Sequence, residues 1–220
     1  MRKLIFIIVL GLALIPTSVL SQRKSGSRQF PVYENGGKPD LVVDPQRFVS
    51  KMEIVDRLFT EGSCEVEEGA AGGTGYRRIV RFDTVVMNSG DGDFVVGDRS
   101  DPNNPYAEWF KFAPCHGHYE IRDFSNAELL NNSRTVVVAG QKQGFWFEDS
   151  LKSRSRKSVR QWIDITGVPE GDYIVRVTIN AAGTFDEGQN RYTNAVETSI
   201  HVPDPRKKVT IDNSPEVLDK

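Results

Sequence analysis

The chain has 220 residues and a formal net charge of −2. That near-neutral balance gives no whole-chain attraction to nucleic acid. Nineteen glycines and eleven prolines, set among many short β-rich runs, point to an all-β architecture.

Residues 1–21 read as a secretory signal. Arg2 and Lys3 give the positive start, and residues 4–14 are the apolar centre. Val19 and Ser21 are small enough for the cleavage pocket, which sets the cut before Gln22. The apolar run is short for a membrane span of about 20 residues, and no other run is long enough to cross. The sequence thus predicts an exported protein, secreted or periplasmic, with no integral membrane segment after cleavage. The roughly 200 residues that remain suffice for one domain with its own core.

Residues 22–38 are polar and rich in Gly, Ser, Arg and Lys, and read as a flexible leader. The domain itself is expected at 39–203. Within it, the loosely alternating run from Phe48 to Val55 predicts a strand, and Cys64 follows. The Gly/Ala stretch at 67–75 runs into a strand-like segment at 78–86. A phosphate cradle would need a following helix and a Lys-Ser/Thr pair, so this stretch predicts a hairpin loop. Residues 88–93 read as a turn. Turn chemistry accounts for their Asn and Asp side chains, and the helices and later Glu of an EF-hand are missing. Residues 98–106, with Pro102 and Pro105, form a loop.

That loop leads into Cys115-His116-Gly117-His118-Tyr119-Glu120. The chain has three histidines, and two of them are here. On a strand, alternate side chains share a face, so His116, His118 and Glu120 are predicted to project together. Gly117 leaves the opposite face bare. Two imidazoles and a carboxylate suit a borderline divalent metal: copper, zinc or iron. The competing reading is a half-buried strand with incidental histidines.

Further on, 135–139 and 144–147 predict two strands around a turn, and Asn131-Asn132-Ser133 is a formal glycosylation sequon. The stretch at 152–160, with Lys152, Arg154, Arg156, Lys157 and Arg160, reads as a solvated basic loop that could attract an anionic partner. Residues 172–179 alternate cleanly, with Tyr173, Val175, Val177 and Ile179 on the core face. Residues 195–202 predict a last strand carrying His201, which reads as structural. Residues 204–220 read as a charged, frayed tail. Short alternating strands, turn signals and no clear amphipathic helix give an antiparallel β-sandwich as the fold class. Cys64 and Cys115 are the only cysteines; in an exported chain they are expected to be joined or both buried.

Several motifs, in order, resemble the lysyl oxidase family. Trp109 to Glu120 resembles its copper-binding segment, a Trp-rich lead into Cys-His-x-His-Tyr-His. Pro39 to Pro45 looks like its opening segment. Arg77 to Phe82 and Asp93 to Asp98 look like its bacterial versions. Lys142 to Asp149 resembles its Lys-x-x-Phe-Cys-Leu-x-Asp stretch. Gln161-Trp162-Ile163-Asp164-Ile165-Thr166, with Pro169, Gly171 and Tyr173, is nearly letter for letter, and Tyr192-Thr193-Asn194 closes the match. The resemblance covers about 40–202 and implies a β-sandwich core.

The resemblance also implies a chemistry. Lysyl oxidases deaminate peptidyl lysine oxidatively with oxygen, using copper on three histidines and a quinone made from one lysine and one tyrosine. His116 and His118 match the first two copper ligands. Glu120 stands in the place of the third histidine, which leaves iron or zinc open beside copper. Lys142 matches the quinone lysine and is the candidate catalytic residue. The tyrosine has no match. The cysteine-bearing segment that carries it in the family is shortened here to the basic stretch, and counting back from Gln161 puts Arg154 in its place. Tyr106 or Tyr119 would have to substitute. The lysine–tyrosine quinone is therefore expected to be absent. Two readings result. One is a copper amine oxidase acting on protein lysine or a small amine. The other is a quinone-less metal-binding or interaction module on the same fold.

Overall fold

A computed structural model describes residues 37–140, 160–188 and 192–212. They fall in one compact unit, Tyr33–Lys220. The signal, the leader up to Gly36, Lys142, the strand expected at 144–147 and the basic stretch up to Val159 lie outside the described residues.

Two four-stranded sheets carry the fold. The first runs in the order β12 (Thr210–Asp212), β2 (Glu53–Phe59), β3 (Gly75–Asp83), β9 (Arg160–Asp164). The second runs β11 (Ala195–Val202), β10 (Gly171–Ile179), β7 (Ser125–Leu130), β8 (Val136–Ala139). Their inner faces share one core, with Val80, Phe82 and Ile163 from the first sheet and Ala127, Leu129, Val175, Val177 and Ile179 from the second. This is the expected all-β sandwich. Period-2 burial explains it: β10 buries Val175, Val177 and Ile179, with Tyr173 packed at the rim. Each such side chain contributes roughly 1.5–3 kcal/mol of apolar transfer free energy.

One polar tie crosses the core. Gln161 on β9 is buried, accepts from Thr84 Oγ1 at 2.7 Å and donates to Ser125 Oγ on β7 at 3.0 Å. A buried amide left unpaired would be costly, so this link fixes how the sheets face each other.

Among the described residues two small sheets accompany them: β1 (Leu41–Val43) with β4 (Val86–Asn88), and β5 (Phe110–Ala113) with β6 (His118–Ile121). The expected turn at 88–93 is present; Asn88 Oδ1 accepts from the amides of Asp40 and Gly90.

Three elements differ from the sequence reading. The strand expected from Phe48 begins only at Glu53, because α1 (Pro45–Ser50) precedes it. Asp44 caps that helix, accepting from the amides of Gln46 and Arg47, and Pro45 sits at its start; both are helix-start signals. The segment at 67–75 does connect an antiparallel hairpin, β2 to β3, but a short helix, α2 (Cys64–Glu67), precedes it. Finally, the segment read as a tail supplies β12, which pairs parallel to β2, while the other strand pairs among the described residues are antiparallel. Buried Asp212 holds it there through ion pairs to Arg57 and Arg81.

Candidate metal centre

β5 and β6 pair so that Ala113 faces His118, Phe112 faces Tyr119 and Lys111 faces Glu120. Residues 114–117 close the hairpin, with the amides of His116 and Gly117 both donating to the Ala113 carbonyl, at 3.1 and 2.9 Å. Gly117 has a φ of 70°, a left-handed conformation that glycine adopts without the Cβ penalty. Pro114 has no N–H to extend the ladder.

His116 therefore lies in the turn and not on the strand with the other two. This corrects the predicted single row of 116, 118 and 120. β6 does place His118 and Glu120 on one face, with His118 Nε2 3.6 Å from Glu120 Oε1. The turn brings His116 back beside them: the two imidazole rings stack with centroids 5.6 Å apart and planes inclined by 26°.

The carboxylate nearest His116 is Glu68, whose Oε2 lies 3.0 Å from His116 Nε2. The sequence reading did not single out Glu68. It is the C-cap residue of α2, and it reaches the hairpin because Cys64 and Cys115 form a disulfide with Cα atoms 5.5 Å apart. The only local signal was the position of this acidic run directly after a cysteine. The cross-link closes 51 residues of chain, which in the chain-entropy account stabilises the fold by about 4 kcal/mol.

The Gln-Trp-Ile-Asp-Ile-Thr motif supports the same region from β9. Trp162 Nε1 donates to the Ala70 carbonyl at 3.0 Å. Asp164 Oδ2 accepts from the Gly72 amide at 2.9 Å and from Arg77 Nε at 2.7 Å. Burial pushes the Asp164 carboxyl up, but hydrogen bonds from Thr166, Arg77 and Gly72 together hold it below the ordinary aspartate value of 3.8. At the start of α2, Glu65 is 7 % exposed and pairs with Arg57 at 2.9 Å. The segment bearing Glu68 is thus pinned at both ends.

The remaining residues singled out from sequence lie elsewhere. Tyr119 projects from the face of β6 opposite His118 and Glu120. It packs on Phe112, ring centroids 5.1 Å apart, with the Arg99 guanidinium 4.2 Å from its own centroid. Tyr106 packs on Phe185 at 4.7 Å. His201 is exposed, with Nδ1 2.8 Å from Asp172 Oδ1.

Among the described residues, no three His, Cys, Asp or Glu side chains are gathered as they would be around a metal ion. There are instead two imidazole–carboxylate pairs, His116 with Glu68 and His118 with Glu120. Their donor chemistry fits a borderline divalent metal. One carboxylate oxygen also fits: Glu68 Oε1 is buried and has no hydrogen-bond partner among the described residues.

The lysyl oxidase family model matches residues 39–160 and 155–211. Lysyl oxidase homolog 2 of Bos taurus is 29 % identical over 191 residues, covering 72 % of this chain and 24 % of its own length. Protein-lysine 6-oxidase of Homo sapiens is 29 % identical over 211 residues, covering 79 % of this chain and 48 % of its own length. Lysyl oxidase homolog 2A of Danio rerio is 30 % identical over 190 residues, covering 72 % and 25 % respectively. The chain spans between about a quarter and a half of the length of these relatives. A match over nearly the whole described unit, on an all-β fold with the His-x-His hairpin in place, shows that this chain belongs to the lysyl oxidase family.

Proposed function

We propose that this chain is an exported, lysyl oxidase-like copper-binding protein, with His116, His118 and Glu120 as protein donors. The observation that carries this is the hairpin turn that stacks the two imidazoles beside the Glu120 carboxylate. Family membership favours copper over zinc or iron. Copper(II) bound there supplies a one-electron redox centre and a Lewis acid. The hairpin holds the imidazoles in place, and the largely buried setting of both pairs limits the water around them. Export is supported by the signal-like pattern at 1–21, and no described helix is long and apolar enough to cross a membrane. The basic residues at 152–160, from Lys152 to Arg160, offer a docking point for an anionic partner.

The family reaction also needs the lysine–tyrosine quinone, and the residues present do not fit it. Lys142 is there. The tyrosine is missing from its expected place, where Arg154 stands, and the two matched family segments overlap at 155–160, beside that shortened stretch. Tyr119 points away from the histidines, and Tyr106 is engaged with Phe185. The favoured reading is a quinone-less metal-binding module. Oxidative deamination of protein lysine or a small amine with oxygen is the reading that family membership and Lys142 would carry.

Copper analysis and an aryl hydrazine decide between the two. The purified protein should take up about one copper, and His116→Ala/His118→Ala should take up none. Copper retained by the double variant would overturn the site. Copper-loaded, aerated protein should form no hydrazine adduct and release no peroxide with amines. An adduct on a peptide containing Lys142 would restore the enzyme reading.

A further inference from the structure

We infer that Glu68 is a further protein ligand of the metal, brought to the histidines by the Cys64–Cys115 disulfide. This rests on the copper reading above. It adds a donor that lies 48 residues from His116 in the chain and belongs to a different element.

Two donors each about 2.1 Å from one ion, at angles between about 90° and 110°, stand roughly 3.0–3.4 Å apart. His116 Nε2 and Glu68 Oε2 are hydrogen-bonded at 3.0 Å, a separation inside that range, so an ion could take the place of the shared proton. His118 Nε2 and Glu120 Oε1 are at 3.6 Å, just outside it. The pair that the chain spacing does not suggest is therefore the one already at ligand separation.

Glu68 is also held in place. Cys64 ties the start of α2 to Cys115, the residue next to His116. Glu65 is locked by Arg57. Beyond Glu68, Ala70 and Gly72 are bonded to Trp162 and Asp164 of β9. A surface glutamate in chance contact with a histidine would not have both flanks fixed. One oxygen is unused as well: Glu68 Oε1 is buried and takes no hydrogen bond from a described residue. A buried carboxylate oxygen without a donor is costly, and a cation would remove that cost.

The test uses the full-length exported protein and copper(II), with affinity from chelator competition and the copper electron paramagnetic resonance spectrum as a second readout. Glu68→Gln keeps the shape and hydrogen-bonding capacity of the side chain but removes its charge. It should weaken copper binding by about 10–100-fold and change the copper g and hyperfine values. Glu68→His restores a donor and should recover affinity with a more nitrogen-rich spectrum. If Glu68→Gln binds copper as wild type does, with the same spectrum, while His116→Ala/His118→Ala loses it, the Glu68 assignment alone falls. A weaker Glu68→Gln complex with an unchanged spectrum makes Glu68 a positioning residue and also overturns the ligand assignment. Wild-type protein that binds no copper overturns both this inference and the function it rests on.

Discussion

Between the two four-stranded sheets, Leu129, Ile163, Val175 and Val177 are 0 % exposed, and their burial is what joins the layers. The β5–β6 hairpin reaches the same core through Ile121, but what joins it to the Glu68 segment is of another kind: a disulfide to α2, with that segment held in turn by an indole-to-carbonyl hydrogen bond and an ion pair. The difference concerns tolerance. An apolar core accepts many side chains of suitable volume, because its stabilisation is non-directional. A donor cluster needs particular atoms within a few tenths of an ångström, so each link that positions His116, His118 or a carboxylate is individually needed. The two regions should therefore fail in separable ways.

The disulfide gives the largest separation. Cys64→Ser/Cys115→Ser should lose about 4 kcal/mol of stability by the loop-closure argument. It should also weaken copper binding in the fraction that remains folded, because α2 is no longer tied to the hairpin. Urea unfolding together with copper titration measures both. Copper affinity equal to wild type in the folded variant would mean that the cross-link serves stability alone. Titration of the denatured, unreduced wild-type protein should find no free thiol.

Leu129→Ala probes the other region. Leu129 is fully buried on β7, and truncation should cost about 3 kcal/mol through lost transfer energy and a residual cavity. Copper affinity of the folded protein should not change, since the disulfide and the polar contacts that hold the Glu68 segment do not involve Leu129. A matching loss of affinity would show that core and site are mechanically coupled, and the comparison would fail.

The smallest expected effect is a pH dependence at Asp164, which supports the Glu68 segment from β9. Its folded-state carboxyl is held below the ordinary value of 3.8. A depressed carboxyl contributes stability that is fully present above the unfolded value and is lost as pH falls through the folded one. Melting temperatures of metal-free protein should therefore fall more steeply on acidification below about pH 4 for wild type than for Asp164→Asn. Parallel curves would remove Asp164 from the account of how this segment is held.

Much of the sandwich was legible from local pattern. The alternation in Tyr173, Val175, Val177 and Ile179 reports which face of β10 is buried, and the structure has it so. β11 matches the expected 195–202. The reason is physical: a strand in a half-buried sheet must carry apolar side chains at period 2, so its burial is written in its own residues. The sequence also marked the His-x-His pair, because histidine is scarce in this chain, and its ordered motifs pointed to the right family.

Tertiary structure decided what periodicity does not encode. Pairing stops at Ala113 and His118, so His116 leaves the strand and reaches its partner through the turn at Gly117. Glu68 meets His116 because a disulfide between cysteines 51 residues apart closes the chain beside it. β12 was hidden in a charged segment, because what holds it is one buried aspartate between Arg57 and Arg81 and its parallel pairing to β2, not an apolar face of its own. Local sequence determines which side chains seek burial. Which of them meet across long stretches of chain is fixed by loop closure, cross-linking and the packing of one sheet on the other.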